Sequence, residues 1–299
     1  MGRPELDVTL WNKWSSVLVC PNCRGFLEHV SGEAVSCRTC GGNYPIRDGL
    51  LSLIKEDDAA SWEAFSRRYS EKCRLEGCLR PGRSRLCRLP FRRPPGGSRF
   101  YWTTRKESYL AFMRILGRQV PAPAAGLAAD LGAGWGWLGF RLYQLGYRVL
   151  ALDINRDRDY GLGLAADTFG KHEHFLPLQA DFSPPPVRKH SLSLAVFNAS
   201  LHHADRTEET LKSIERKLQP GGVLVIMDTP LGKKSVKAAE RGFRCLGKGE
   251  LVSTLQKLHL SVRIIPVRRG WRWAFFQIRS RLKKRIRFSF PIIAAWKAK

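Results

Sequence analysis

Four cysteines and a chain of strand-end acids are the residues here whose types and spacing point to chemistry. The cysteines form two knuckles, Cys20-Pro-Asn-Cys23 and Cys37-Arg-Thr-Cys40, separated by 13 residues. Each knuckle presents two sulfurs to one ion, so the pair predicts a tetrahedral thiolate zinc site. With all four positions taken by protein, the metal is expected to be structural, and its binding energy to be folding energy for a module with little core. The competing assignment, two disulfides, suits an exported chain. The N-terminus MGRPELDVTLWNKW has no apolar secretion segment, Leu6 breaks the myristoylation pattern, and no apolar run reaches spanning length. A cytoplasmic protein is therefore expected. Cys73, Cys78, Cys87 and Cys245 are irregularly spaced and read as ordinary thiols.

The second set begins at Asp130 to Gly139, DLGAGWGWLG, where an apolar run turns into glycines at 132, 134, 136 and 139. That pattern predicts a buried strand turning tightly into a helix, a place where backbone can approach a nucleotide-type cofactor. Further apolar runs at Tyr147–Leu152, Phe175–Ala180, Leu192–Phe197 and Val223–Met227 alternate with helical stretches. Such alternation predicts an α/β fold, a Rossmann-like parallel sheet with helices on both faces. Ligands in these sheets bind at the carboxyl ends of the strands. Asp130, Asp153, Asp181 and Asn198 lie at or just before four such ends. Asp153 follows Asp130 by 23 residues, a spacing at which an acid meets nucleoside ribose hydroxyls. Two ligands fit the pattern: a dinucleotide, or an adenosine-containing methyl donor.

The motifs separate these two. The turn reads GAGWG rather than GxGxxG, and the ADF, NASLHH and LQPGGVLVIMD segments have no required role in dinucleotide binding. Over Leu127 to Asp228 the chain resembles the class I S-adenosylmethionine-dependent methyltransferases. The resemblance implies that the first motif, with Asp130, Gly132, Ala133 and Gly134, packs on the methionine end of S-adenosylmethionine. It places Asp153 on the ribose, Ile154 over the adenine, Asp181 and Phe182 at the adenine edge, and Asn198 beneath the sulfonium. No catalytic residue is required by the resemblance. His202 and His203 are candidate proton acceptors. The sequence NASL departs from the Asn-Pro-Pro-aromatic motif of enzymes acting on exocyclic amino groups of bases or on glutamine amides, which argues against those substrates.

CPNCRGFL followed by CxxCGxxYPIxDGLLSL, over Val17 to Ile54, resembles the small zinc-ribbon activator subunits of tRNA and translation-factor methyltransferases. Similar ribbons also occur fused to methyltransferase domains, so the two resemblances support each other. The expected organisation is a zinc ribbon over 1–56, a basic and partly helical connector or lid over 57–120, a methyltransferase domain over 121–278, and a basic amphipathic tail over 279–299. Helices are expected at Ala59–Tyr69 and Glu107–Leu116, and a terminal β-hairpin at Leu260–Val267 and Trp271–Ile278.

Net charge is +25 over 299 residues. Residues 66–106 hold 13 basic and 2 acidic residues, and 251–299 hold 13 basic and none acidic, so these two segments carry nearly all the excess. Such segments suit an anionic membrane surface or RNA. The apolar residues Phe288, Phe290, Ile292, Ile293 and Trp296 after the basic run favour a membrane surface. The expected activity is methyl transfer to an unidentified small-molecule or lipid-like acceptor; the alternatives are an RNA methyltransferase and a non-catalytic scaffold or activator.

Overall fold

A computed structural model describes residues 8–31, 33–119, 126–233, 235–238, 243–267 and 289–298. The ribbon begins with helix α1 (Val8–Trp14) and continues through strands β1 (Leu27–Ser31), β2 (Ala34–Cys37), β3 (Asn43–Arg47) and β4 (Leu50–Ser52). These four pair antiparallel in chain order, with β3 and β4 joined by the turn at Asp48 and Gly49, both at positive φ. The connector holds α2 (Glu56–Leu75), α3 (Arg83–Leu86) and α4 (Arg99–Gln119). Three acids in the first turn of α2 and Lys72 and Arg74 in its last complement the helix dipole.

The main domain runs β5 (Leu127–Leu131), α5 (Trp137–Gln144), β6 (Arg148–Asp153), α6 (Leu162–Phe169), β7 (Phe175–Gln179), β8 (Leu192–Asn198), α7 (Thr207–Lys217) and β9 (Leu218–Met227). After the short strands β10 (Leu231–Gly232), β11 (Val236–Ala238) and β12 (Phe243–Gly247) come α8 (Lys248–Lys257), β13 (Ser261–Ile265) and β14 (Ile292–Trp296). Strands β5 to β9 are parallel, and the order β7-β6-β5-β8-β9-β14-β13 places the reversal between β5 and β8. Residues of β5 are buried on both faces, as a covered parallel sheet requires.

Two features of the fold differ from the sequence expectation. The ribbon is not a separate module: β4 pairs parallel with β7, Leu51 opposite Leu178, and the Leu53 N–H donates to the Gln179 carbonyl at 2.8 Å. One sheet of eleven strands therefore runs from the zinc module through the main domain, and Val35, Leu51 and Leu53 share a core with Leu152 and Leu178. Pairing of this kind is made by backbone groups, which carry no side-chain signature.

The second difference is at the C-terminal end. β13 lies where expected, but its antiparallel partner is β14, inserted between β13 and β9. Ile292 and Ile293 are fully buried and Phe290 is 9% exposed, so these side chains complete the protein's own core and are withdrawn from any membrane surface. The expected strand at 271–278 and the amphipathic stretch at 279–287 fall outside the described residues. No helix among the described residues is long and apolar enough to cross a membrane.

Candidate active site and metal centre

The four ribbon cysteines converge. Their sulfurs all lie within 4.8 Å of one another, with Cys20 to Cys40 at 3.6 Å and Cys23 to Cys37 at 3.4 Å. A tetrahedron with Zn–S bonds of about 2.3 Å has edges of about 3.8 Å, so the cluster is sized for zinc. The same separations are far beyond the ~2.05 Å of a disulfide. Backbone N–H groups of Gly25 and Thr39 point at the Cys23 and Cys37 sulfurs, each at 3.4 Å, and the Tyr44 hydroxyl lies 3.0 Å from the Cys20 sulfur. These donors satisfy thiolate charge by pointing at the sulfurs.

At the carboxyl ends of the parallel strands lies a cavity of about 490 Å³. Gly132, Ala133, Gly134, Asp153, Ile154, Asp181, Phe182 and Asn198 all line it. Asp130 does not. It is 1% exposed behind the turn, and its Oδ2 accepts from the Gly139 N–H at 2.8 Å. Burial pushes this carboxyl up to about 7. Asp130 thus ties the glycine turn to α5 instead of facing the cavity, a correction that follows from Gly139: without a side chain there, the α5 backbone approaches the acid directly.

The turn is held through its own amides. Gly132 and Ala133 both donate to the Leu152 carbonyl at 2.8 Å, and Gly134 donates to Asp153 Oδ2 at 2.7 Å. Three amides that would cradle a pyrophosphate are therefore engaged within the chain, which weighs against a dinucleotide. Asp153 Oδ1 accepts from the Asn155 N–H at 2.8 Å. Asp181 Oδ1 accepts from the Ser183 N–H at 2.8 Å, and burial pushes the Asp181 carboxyl up to about 6. Phe182 packs edge-on against Phe197 at 5.3 Å. Asn198 Oδ1 is buried and has no hydrogen-bond partner among the described residues, an orphaned acceptor on the cavity floor.

Of the three glycines at positive φ in this turn, Gly132, Gly134 and Gly136, the first two differ in what surrounds them. A Cβ on Gly132, at φ +78°, would lie 2.4 Å from the Ser200 Cβ, whereas one on Gly134 meets nothing within 4 Å. Gly132→Ala is expected to lower Tm by several degrees, because Ser200 is pinned by donation to the Leu131 carbonyl and cannot step aside. Gly134→Ala is expected to cost only the left-handed backbone penalty, about 1–2 kcal/mol. Thermal unfolding of the two variants checks this ranking.

The roof comes from the segment for which the sequence left a connector or a lid open. Trp62, Phe65 and Tyr69 share one face of α2 as their spacing indicates, and that face covers the cavity. Ser66 Oγ donates to the Ile154 carbonyl at 3.4 Å and Asn155 Nδ2 to Ser70 Oγ at 3.4 Å, fixing α2 over the end of β6. From α4, Trp102 stacks on Trp135 at 6.3 Å with rings 8° apart, and the Arg105 guanidinium lies over Trp102 at 4.9 Å. The Arg/Pro/Gly-rich connector between them is folded, with Leu86 and Leu89 buried.

The paired histidines part company. His203 lines the cavity with its ring edge-on to Phe65 and Tyr69, while His202 lies behind it and is absent from the cavity wall. Burial, with the His203, Lys72 and Arg105 charges, pushes His202 down to about 3. Burial and Lys72 also lower His203, so it is held neutral. Of the two, only His203 is placed to meet a bound acceptor.

Comparison with known proteins agrees with this geometry. Residues 129–226 match the methyltransferase domain family, and residues 13–49 match the Trm112p-like protein family. No curated protein matches the chain. A Burkholderia thailandensis 1,6-didemethyltoxoflavin-N1-methyltransferase aligns over 91% of this chain and 99% of its own at 16% identity and TM-score 0.51. Phosphoethanolamine N-methyltransferase 2 of Haemonchus contortus, solved with S-adenosyl-L-methionine, aligns over 69% of this chain at 14% identity and TM-score 0.51. This chain spans 61% of that protein's length. A complex of the Haloferax volcanii Trm112 methyltransferase activator with a methyltransferase aligns over 66% of this chain and 92% of that one, at 16% identity and TM-score 0.50. Fold, site and domain match together define an S-adenosylmethionine-dependent methyltransferase domain. The chain joins that domain to an N-terminal Trm112p-like zinc ribbon.

Proposed function

We propose that the protein transfers a methyl group from S-adenosylmethionine to a small-molecule or lipid-like acceptor held under the aromatic roof. The supporting observation is the division of the cavity: strand-end polar groups line one side, and Trp62, Phe65, Tyr69 and Trp102 close the other. When bound, the cofactor supplies an electrophilic methyl on a sulfonium. Asp153 binds the ribose hydroxyls, Ile154 covers the adenine with α2 above it, and the Gly132–Gly134 turn seats the methionine end. Asn198, in the cavity wall, would lie beneath the sulfonium. Alignment and exclusion of water supply most of the acceleration in a direct displacement, and the roof provides both. His203 accepts a proton where the acceptor carries one at the reacting atom. An enclosed roof suits a small or chain-like apolar acceptor, which threads beneath α2, better than a folded polymer.

Asp181 gives the proposal a pH signature. Its Oδ1 is committed to Ser183, leaving Oδ2 to accept from the adenine amino group. Protonation as pH falls through about 6 removes that acceptor, so S-adenosylmethionine affinity is expected to fall below pH 6. Asp181→Asn is expected to bind more weakly at neutral pH and to show no such decline. Calorimetric titration from pH 5 to 8 checks both. Transfer of a labelled methyl group from S-adenosylmethionine to cell extract, fractionated into lipid, small-molecule, RNA and protein pools, tests the acceptor class. Label in RNA or protein alone would overturn it, and absence of S-adenosylmethionine binding by zinc-replete protein would leave a scaffold.

A further inference from the structure

A second cleft lies beside the first, between the first cysteine knuckle of the ribbon and α7. It encloses about 820 Å³, and six cations line it: Arg24, Arg188, Lys189, Lys212, Arg216 and Lys217. They come from three separate segments, none of which stands out as basic along the chain. The one acid in the wall, Glu209, is taken by Arg206 at 3.1 Å. Among the described residues none of the six pairs with a carboxylate. What they meet instead is carbonyl oxygen: Arg24 Nη1 donates to Pro185 at 3.1 Å and Lys217 Nζ to Val187 at 2.5 Å. The crowding is electrostatically unfavourable in the protein alone: Lys217, 7% exposed, is pushed down to about 8 by burial and by Arg24, Lys189 and Arg216. Arg188 Nε is buried with no hydrogen-bond partner among the described residues, and its guanidinium lies 4.5 Å over the ring of Phe26, itself 63% exposed at the rim.

We propose that this cleft binds a ligand through two or more linked phosphate groups. Converging cations without carboxylate counter-ions attract polyanions, and guanidinium donors suit phosphate oxygens. A single phosphate, with at most two charges, would leave most of the six cations unanswered, whereas a run of linked phosphates spans the cleft. A flat bilayer cannot enter a concavity between two packed elements. The phosphates belong either to a free oligophosphate or to a short nucleotide chain, and Phe26 distinguishes the two, because an exposed ring at the rim stacks on bases and offers nothing to inorganic phosphate.

The test uses the full zinc-replete chain at about 150 mM salt, where exposed charges more than about 8 Å apart are largely screened. Inorganic tripolyphosphate and a ten-nucleotide oligouridylate are titrated by calorimetry and fluorescence anisotropy. Lys189, Lys212 and Arg216 are exposed and make no side-chain bond among the described residues, so K189E/K212E/R216E should fold normally. This triple is expected to weaken the ligand that binds at least tenfold. A control with the same charge change elsewhere, R83E/R85E/R88E, is expected to weaken it less than threefold. Phe26→Ala weakening oligouridylate but not tripolyphosphate assigns the nucleotide source; no effect on either assigns the free oligophosphate. Equal losses in both triples, no saturable binding of either probe, or binding only to phosphatidylglycerol vesicles would overturn the proposal.

Discussion

Asp153→Ala is expected to weaken S-adenosylmethionine binding by at least tenfold, about 1.4 kcal/mol or more. Two losses combine. The carboxylate that meets the ribose hydroxyls disappears, and so do the acceptors that hold the Gly134 and Asn155 amides at 2.7 and 2.8 Å. With Gly134 released, the turn that seats the methionine end loses one of the three amide bonds that hold it to β6, keeping those of Gly132 and Ala133 to Leu152. Asp153→Asn keeps one oxygen acceptor and should fall between the wild type and Ala.

The same substitution is expected to change stability far less than affinity. Burial raises the Asp153 carboxyl. A carboxyl raised in the folded state binds its proton more tightly there than when unfolded, so stability falls as pH rises from the unfolded value toward the folded one. Above the unfolded value the buried carboxyl therefore costs the fold something, and its removal partly offsets the two lost backbone bonds. Calorimetry alongside thermal unfolding at pH 7.5 separates these effects. An unchanged Kd, or an affinity loss explained by unfolding at the assay temperature, would sink the ribose assignment.

How far the sequence disclosed the molecule depended on how local each feature was. Strands β6 to β8 lie within a residue or two of their expected bounds, because each is an apolar run stopped by Asp or Asn. Helices α2 and α4 run longer than their apolar periodicity suggested, at Glu56–Leu75 and Arg99–Gln119. The zinc ligands were legible from spacing alone, as was the clustering of Asp153, Asp181 and Asn198. What stayed hidden depended on pairing between distant segments. The β4–β7 pairing is backbone to backbone, and β14 follows a basic run that suggested a surface-seeking tail. Segment-by-segment charge located the excess at 66–106 and 251–299 and passed over the six cations that the ribbon, the loop before β8 and α7 bring together. Asp130 looked like its fellow strand-end acids, and only the fold shows that Gly139 claims its oxygen.

Removing the metal is expected to damage the whole protein rather than the ribbon alone. Structural zinc in such sites contributes roughly 10–16 kcal/mol of apparent binding free energy at pH 7, which matches or exceeds the net stability of about 5–15 kcal/mol typical of a domain. Here the ribbon has no boundary at which to unfold independently. β4 lies inside the sheet, between β3 and β7, Leu53 bonds to Gln179, and α1 places Trp11 and Trp14 in the same core as Leu152 and Phe197. β7 in turn leads to Asp181 and Phe182 in the cavity wall. Cys37→Ser, which removes a buried ligand, or treatment with a strong chelator should therefore lower Tm by more than 10 °C and weaken S-adenosylmethionine binding in parallel. A thiol reductant should do neither, because no disulfide joins these sulfurs. Metal analysis, thermal unfolding and calorimetry on the same samples decide the matter. Full cofactor affinity in a metal-free chain would mean that the ribbon is carried by the sheet without supporting it.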